Sequence, residues 1–349
     1  MQANIIKQYT GHMSLNIIIN RESSETIQQQ LFNAIVNGIS ENDLKIGENL
    51  PSINTLCKDL CISRDTVFKV YQELKRRGFV DSTPAKGYFV AQQLNRLLLL
   101  LDYFSPFKDA FHQAFIKNIP NSYFVDLVFH HYNRHLFEAI ILDSIGRYDM
   151  YVVMNFDTNT FEICDELKKI DPSKILFIDI PVKKWNGLNE DKYSYIIQNF
   201  DEAVYNCLVE IKDKLKKYKS FNMIFTKKLN HPQISIDYFK KFCKDHNITH
   251  KVIYEPNDII IEKGKAYFVL RQNDLSSILK HCKELNLKPG IDIGILTYNH
   301  SPLYEFIGDG ITEISTNFAN MGFEASEYVK NRQIVKKIIP TEINIKGSL

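Results

Sequence analysis

The sequence predicts two folds in one chain: a small α+β domain at the amino end and, after it, a larger α/β domain of two lobes. Three observations carry this. Within the first ninety residues, apolar side chains recur at helical spacing in three short segments, and a hairpin pattern turning on a glycine follows them. Beyond residue 96, near-continuous apolar runs alternate with helical stretches, as strands of parallel sheets covered on both faces do. Residues 97–349 also exceed what one core comfortably holds, which divides them into two lobes.

Composition narrows the classes. The 349 residues are 44% hydrophobic and 24% charged, the balance of an ordinary globular protein. The longest aliphatic run, Leu97 to Leu101, falls far short of the ~20 residues a membrane helix requires and reads as a buried strand. No basic segment followed by a long apolar stretch and a small-residue cleavage site opens the chain, so a cytoplasmic protein with no membrane partner is expected. Cys57, Cys61, Cys164, Cys207, Cys243 and Cys282 form no CxxC pair and read as reduced cysteines. A net charge of +2 argues against indiscriminate coating of nucleic acid and leaves room for a local basic face.

The amino-terminal elements follow in order. Ile27, Leu31, Ile35 and Ile39, widened by Phe32 and Val36, predict a helix over residues 26 to 39. Pro51 ends what precedes it, and Ser52 caps a short helix burying Leu56, Cys57 and Leu60. After the turn "CIS", Ser63 caps a third helix whose inner side is Val67, Val70, Tyr71 and Leu74, with Gly78 as its stop. Arg64, Asp65, Phe68 and Lys69 then point outward. Two helices joined by a tight turn, the second presenting polar residues at its amino end, suit a DNA major groove. Arg64 fits a guanine edge or a phosphate, and Thr66 a phosphate or a thymine methyl. "FVDSTPAKGYFV" reads as a hairpin wing with Lys86 at its tip, near backbone phosphates.

Residues 26–90 resemble the winged-helix DNA-binding domain of the GntR family of bacterial transcriptional regulators. The likeness rests on the Leu-Pro-Ser start, the Ser-Arg-x-Thr-Val opening of the third helix, its Leu-x-x-x-Gly end and the glycine wing. It implies DNA contacts by Ser63, Arg64, Thr66, Lys86 and Gly87. Ser52, Asn54, Asp65, Lys69 and Tyr88 complete the expected DNA-binding set. Ile53 and Asn54 stand where many members have arginine or glutamate, and Phe68 where many have arginine. The expected boundaries are a DNA-binding domain at 15–90, a linker "AQQLNR" at 91–96 and an effector domain at 97–349.

In the larger part, strand-like runs "LLLLL", "YFVDLVF", "MYVVMN", "KILFIDI", "FNMIFT", "HKVIYE", "AYFVL" and "IDIGILTY" alternate with helical segments at 107–115, 136–145, 161–170, 233–246 and 274–285. Open α/β sheets bind ligands at the carboxyl ends of their strands. Those ends carry Asp102, Phe104, Phe107, Asn155, Asp157, Asp179 and Asn299, with Asp274 at a helix start. Carboxylates and amides beside aromatics suit a sugar, whose hydroxyls need donors and acceptors while its C–H face stacks.

Residues 97–349 resemble the effector domain of lactose-repressor-type regulators, themselves similar to periplasmic sugar-binding proteins. The clearest stretch runs from "PGIDIGILTYNH" through "NFANMGFEASEYV" to "IIPTEINIKGSL". The likeness implies that Asp274 and Asn299 contact ligand, Asn299 replacing an aspartate. Ser235 and Tyr238 stand where arginine and glycine are expected.

An enzyme reading is weaker. His131 and His135 are four apart without the glutamate of a helical zinc pair, "GDG" at 308–310 is too short for a dinucleotide fingerprint, and no Gly-x-Ser-x-Gly elbow occurs. Nor is there a convincing lysine for the pyridoxal phosphate that aminotransferase-like GntR relatives carry. No catalysis, cofactor or metal is therefore expected. The expected function is a homodimeric, ligand-responsive transcription factor reading double-stranded operator DNA, with a monosaccharide as effector and carbohydrate-utilisation genes as targets. The alternatives are a sugar-modifying α/β enzyme or a regulator sensing a non-sugar metabolite.

Overall fold

The computed structural model describes residues 6–10, 16–84, 86–91, 95–157, 164–180, 190–200, 202–226 and 230–349. Its contacts divide into two compact units, one of residues 1–98 with 120–126 and 147–150, the other of residues 99–119, 127–146 and 151–349.

The first unit opens with an antiparallel hairpin that sequence reasoning did not anticipate, β1 (Ile6–Thr10) with β2 (Asn16–Asn20). Helices α1 (Ile27–Ser40), α2 (Ile53–Leu60) and α3 (Arg64–Arg76) follow, then the wing, β3 (Val80–Thr83) paired with β4 (Gly87–Val90). Thr26, Ser52 and Ser63 each accept a backbone N–H three residues on, so every helix starts where its cap stands. Leu31, Ile35, Leu56, Leu60, Val67, Tyr71 and Leu74 share one core, and Ile17 and Ile19 of β2 add to it. The buried Tyr71 hydroxyl donates to the Pro51 carbonyl at 2.6 Å, tying α3 to the entry of α2. Arg21 donates to the Cys61 carbonyl at 2.6 Å, which braces the turn between α2 and α3.

The larger part is built on two six-stranded sheets. The chain runs β5 (Asn95–Leu101), α4 (Pro106–Asn118), β6 (Tyr123–Phe129), α5 (Arg134–Ser144), β7 (Met150–Met154), β8 (Ile175–Ile178) and β9 (Ser194–Gln198). It continues through α6 (Glu202–Glu210), α7 (Lys212–Leu215), β10 (Ser220–Ile224), α8 (Ile234–Asp245), β11 (His250–Ile253), β12 (Lys265–Val269), α9 (Gln272–Glu284) and β13 (Gly294–Tyr298). Last come β14 (Thr312–Thr316), α10 (Phe318–Asn331), β15 (Lys336–Ile339) and β16 (Thr341–Asn344). The first sheet has the order β15-β9-β8-β7-β5-β6 and the second β11-β10-β12-β13-β14-β16. The chain therefore passes between lobes after β9, after β14 and again at Pro340, which alone separates β15 from β16. Every residue of β7, β8, β10 and β13 is buried, as their unbroken apolar runs predict.

Three expectations are corrected. Asn95 and Arg96, read as linker, begin β5, because Arg96 is anchored by Asp126 at 2.7 Å and its backbone N–H by Asp149 at 2.8 Å; residues 92–94 of that linker lie outside the described residues. The run "YFVDLVF" is a half-exposed edge strand, not a fully buried one. The helix expected over 161–170 lies partly outside the described residues, and what is described holds only a 3-10 turn, Leu167–Lys169, cut short by Pro172. Among the described residues no helix is long and apolar enough to cross a membrane.

Candidate functional site

Two regions bear chemistry. In the first unit, burying Val67, Val70, Tyr71 and Leu74 leaves Arg64, Asp65, Phe68 and Lys69 exposed along the free side of α3. Asp65 and Lys69 pair at 2.7 Å in solvent, a contact of small energetic weight that a phosphate displaces easily. Ser63 and Thr66 are committed to the helix end: the Thr66 N–H donates to Ser63 Oγ at 3.1 Å and the two hydroxyls lie 2.7 Å apart. Ser52 does the same for α2 with Thr55. Both serines thus set helix starts first. Asn54 is exposed on α2. At the wing tip Gly87 has φ +71°, the left-handed region glycine enters without cost, and Lys86 is exposed with Nζ 4.7 Å from the Phe89 ring centre. Tyr88 is a brace: its ring packs 4.6 Å from Tyr71 and its hydroxyl accepts from Gln72 at 2.9 Å, which holds the wing against α3.

In the second unit the strand ends of both lobes border a cavity of about 410 Å³, within the range of small-molecule sites. A narrower recess of about 50 Å³ shares Tyr103, Phe107, Tyr132, Asn230, Tyr298 and Asn299 with it. The recess brings together Asp102, Phe107, Asn155, Asp157, Asp179 and Asn299, six of the eight residues expected to meet an effector. Phe104, 66% exposed, lines only the outer cavity. Asp274 lines neither. It is buried and receives two bonds from Arg271, at 2.6 and 3.1 Å, so the arginine faces the cavity and the acid holds it there.

Asp102 is likewise already engaged. Its carboxylate takes the Lys108 ammonium, the Tyr103 N–H at 2.6 Å and the Tyr132 hydroxyl. Burial pushes Lys108 below the ordinary lysine range while Asp102 pulls it back. The ammonium also sits 4.0 Å from the Tyr103 ring centre. Asn299, at φ +66°, has a buried Oδ1 without a hydrogen-bond partner among the described residues, an acceptor open to a donor. His231 lies 2.9 Å from Ser235 Oγ among Phe200, Phe225 and Tyr298, and burial pushes its pKa down to about 3, keeping it neutral.

Gln198 joins the lobes. Its Nε2 donates to Asp179 at 2.7 Å, and its Oε1 accepts from the hydroxyls of Tyr298 at 3.0 Å and Thr316 at 2.9 Å. Burial raises the Asp179 carboxyl from 3.8 to about 6 against the pull of Gln198 and Lys108. The folded pKa exceeds the unfolded one, so the stability this group contributes is complete below about pH 4 and is lost as pH rises through about 6. Asp179→Asn is accordingly expected to raise stability at neutral pH by ~1–3 kcal/mol and to flatten the profile between about pH 4 and 6. Urea unfolding across that pH range checks it, and a variant that keeps the parental slope refutes it.

Residues 27–90 match the model of the bacterial regulatory proteins of the gntR family. Those residues are a GntR winged-helix domain. An HTH-type transcriptional regulator of Bacillus subtilis, YdeL, itself uncharacterised, is 30% identical over 77 residues, 22% of this chain and 17% of that protein. The B. subtilis HTH-type transcriptional repressor YtrA is 26% identical over 83 residues, 24% of this chain and 64% of its own length. The match thus spans less than two thirds of either relative. A LacI-family transcriptional regulator from Lactobacillus casei, solved with bound sucrose, superposes with a TM-score of 0.58 at 13% identity, covering 73% of this chain and 99% of that one. At that identity the likeness establishes the fold of the two-lobed part.

Beyond the GntR domain, sequence reasoning missed Lys108, Gln198, His231, Tyr298 and Arg271. One of them left a signal. Lys108 lies three and seven residues before Phe111 and Phe115, on the buried stripe of α4, where a lysine demands a buried partner. His131 and His135 do not form a pair: His131 is in a turn at φ +52°, and His135 is 97% exposed on α5 beside Glu138.

Proposed function

We propose that this protein is a ligand-responsive transcriptional regulator. The observation that carries the reading is the union, in one chain, of a GntR domain with an exposed Arg64–Lys69 edge and a two-lobed cleft lined by acids, amides and aromatic rings. A monosaccharide or related sugar as effector fits the lining, and the L. casei neighbour's bound sucrose supports that class. Asn155, Asp157, Asp179 and Asn299 would meet its hydroxyls and Phe107 its C–H face, with Phe104 at the mouth. Asp102 and Asp274 act through Lys108 and Arg271. The reading includes a cytoplasmic homodimer whose two α3 helices meet a pseudo-palindromic operator, and genes of carbohydrate use as targets. Sugar binding alters DNA binding only through different affinity for two lobe arrangements.

The test uses an operator selected from random DNA by the purified protein. Arg64→Ala is expected to weaken its binding by ~1–3 kcal/mol, while Lys86→Ala weakens operator and random DNA alike and lowers the salt dependence. Parental affinity in both variants, in a salt-titrated gel shift, sinks the DNA assignment. A sugar screen by thermal shift, followed by the same gel shift with the hit present, tests the effector half.

A further inference from the structure

Resting on the reading of the cleft as an effector site, we propose that the effector is an acidic sugar, whose phosphate ester or carboxylate is held between the amino ends of α4 and α9. Both helices have thirteen residues, and both open on the outer cavity, one from each lobe, through Ser105, Pro106 and Phe107 on one side and Arg271, Gln272 and Asn273 on the other. Neither start is capped by a side chain. A helix start leaves its first N–H groups without intrahelical partners and carries about half a positive charge. Two such ends converging on one cavity make a site for an anion.

An independent observation points to a ligand there. Ser105 stands at the cap position of α4 but does not cap it; the residue is only 7% exposed, lines the cavity, and its Oγ has no hydrogen-bond partner among the described residues. A buried hydroxyl left unmatched on a cavity wall is satisfied when a ligand oxygen arrives. Arg271, locked in direction by Asp274 through Nε and Nη2, adds a guanidinium to the same wall. The acid in the first turn of α4, Asp109, is half-buried and accepts from Gln113 at 2.6 Å, and that of α9, Asp274, is taken up by Arg271. The inner recess, with Asp157 and Asp179 beside the Asp102–Lys108 pair, has the opposite character. The cleft is thus polarised along its depth, hydroxyl-binding inside and anion-binding at the mouth, which a neutral sugar would leave half used.

Calorimetric titration of the full chain with matched sets tests this: a neutral hexose, its monophosphates, its uronate, and inorganic phosphate alone. At least one acidic derivative is expected to bind ten- to a hundredfold tighter than its neutral parent, and the stronger of the ester and uronate arms names the group. Ser105→Ala and the double variant Arg271→Gln with Asp274→Asn, which strands no buried charge, should each reduce that preference severalfold or more. Equal binding of neutral and acidic forms, or a preference that survives both variants, overturns the anion site and leaves the sugar-regulator reading standing, whereas inorganic phosphate bound as tightly as the ester overturns the acidic sugar as the effector. No binding by any carbohydrate of the panel overturns both.

Discussion

Replacing Lys108 with methionine is expected to destabilise the larger domain by ~3–5 kcal/mol, the usual consequence of removing one member of a buried ion pair. Lys108 is 3% and Asp102 5% exposed, so neither charge can fall back on water. Once the ammonium is gone, Asp102 keeps, among the described residues, the Tyr103 N–H and the Tyr132 hydroxyl, and the Tyr103 and Phe107 rings lose the cation now 4.0 and 5.4 Å from their centres. Removing both charges, by Asp102→Asn with Lys108→Met, should restore most of the loss, because no stranded charge remains and the methionine fills the lysine's path along the helix. Urea unfolding followed by circular dichroism distinguishes the cases. A single variant as stable as the parent would show that the pair gives no net support, and a double variant as unstable as the single one would transfer the cost to packing.

Gly322→Val should cost ~3 kcal/mol or more through overpacking. A Cβ at this position of α10 would stand 2.2 Å from the Phe111 carbonyl oxygen and 3.1 Å from the Phe115 N, both backbone atoms of α4 that no rotamer change can move aside. The helices must separate, which also opens the contact of Phe107 with Phe318, now 4.8 Å between ring centres. Glycine inside a helix ordinarily costs ~1 kcal/mol relative to alanine, so its presence here reflects the approach of two backbones. A melting temperature unchanged in Gly322→Val would mean that α4 and α10 do not pack this closely.

The sequence by itself determined what depends on near neighbours along the chain. The caps Ser52 and Ser63, the buried side of α3, the glycine at the wing tip and the apolar runs of β7, β8 and β13 were legible because helical and strand periodicity are properties of a few consecutive residues. Strand ends were legible too, which is why six effector candidates gather in one recess. What the tertiary structure decided are contacts across long stretches of chain. Gln198 meets Tyr298 a hundred positions away, and Thr316 lies 118 positions from it; neither follows from any local pattern. The roles of Asp102 and Asp274 turned on the same matter: each was recognisable as an acid near a strand end or helix start, yet the cation at hand, Lys108 or Arg271, claims it before a ligand can. A carboxylate leaving water takes the nearest fixed donor, and which donor is nearest is set only when the helices and sheets have packed.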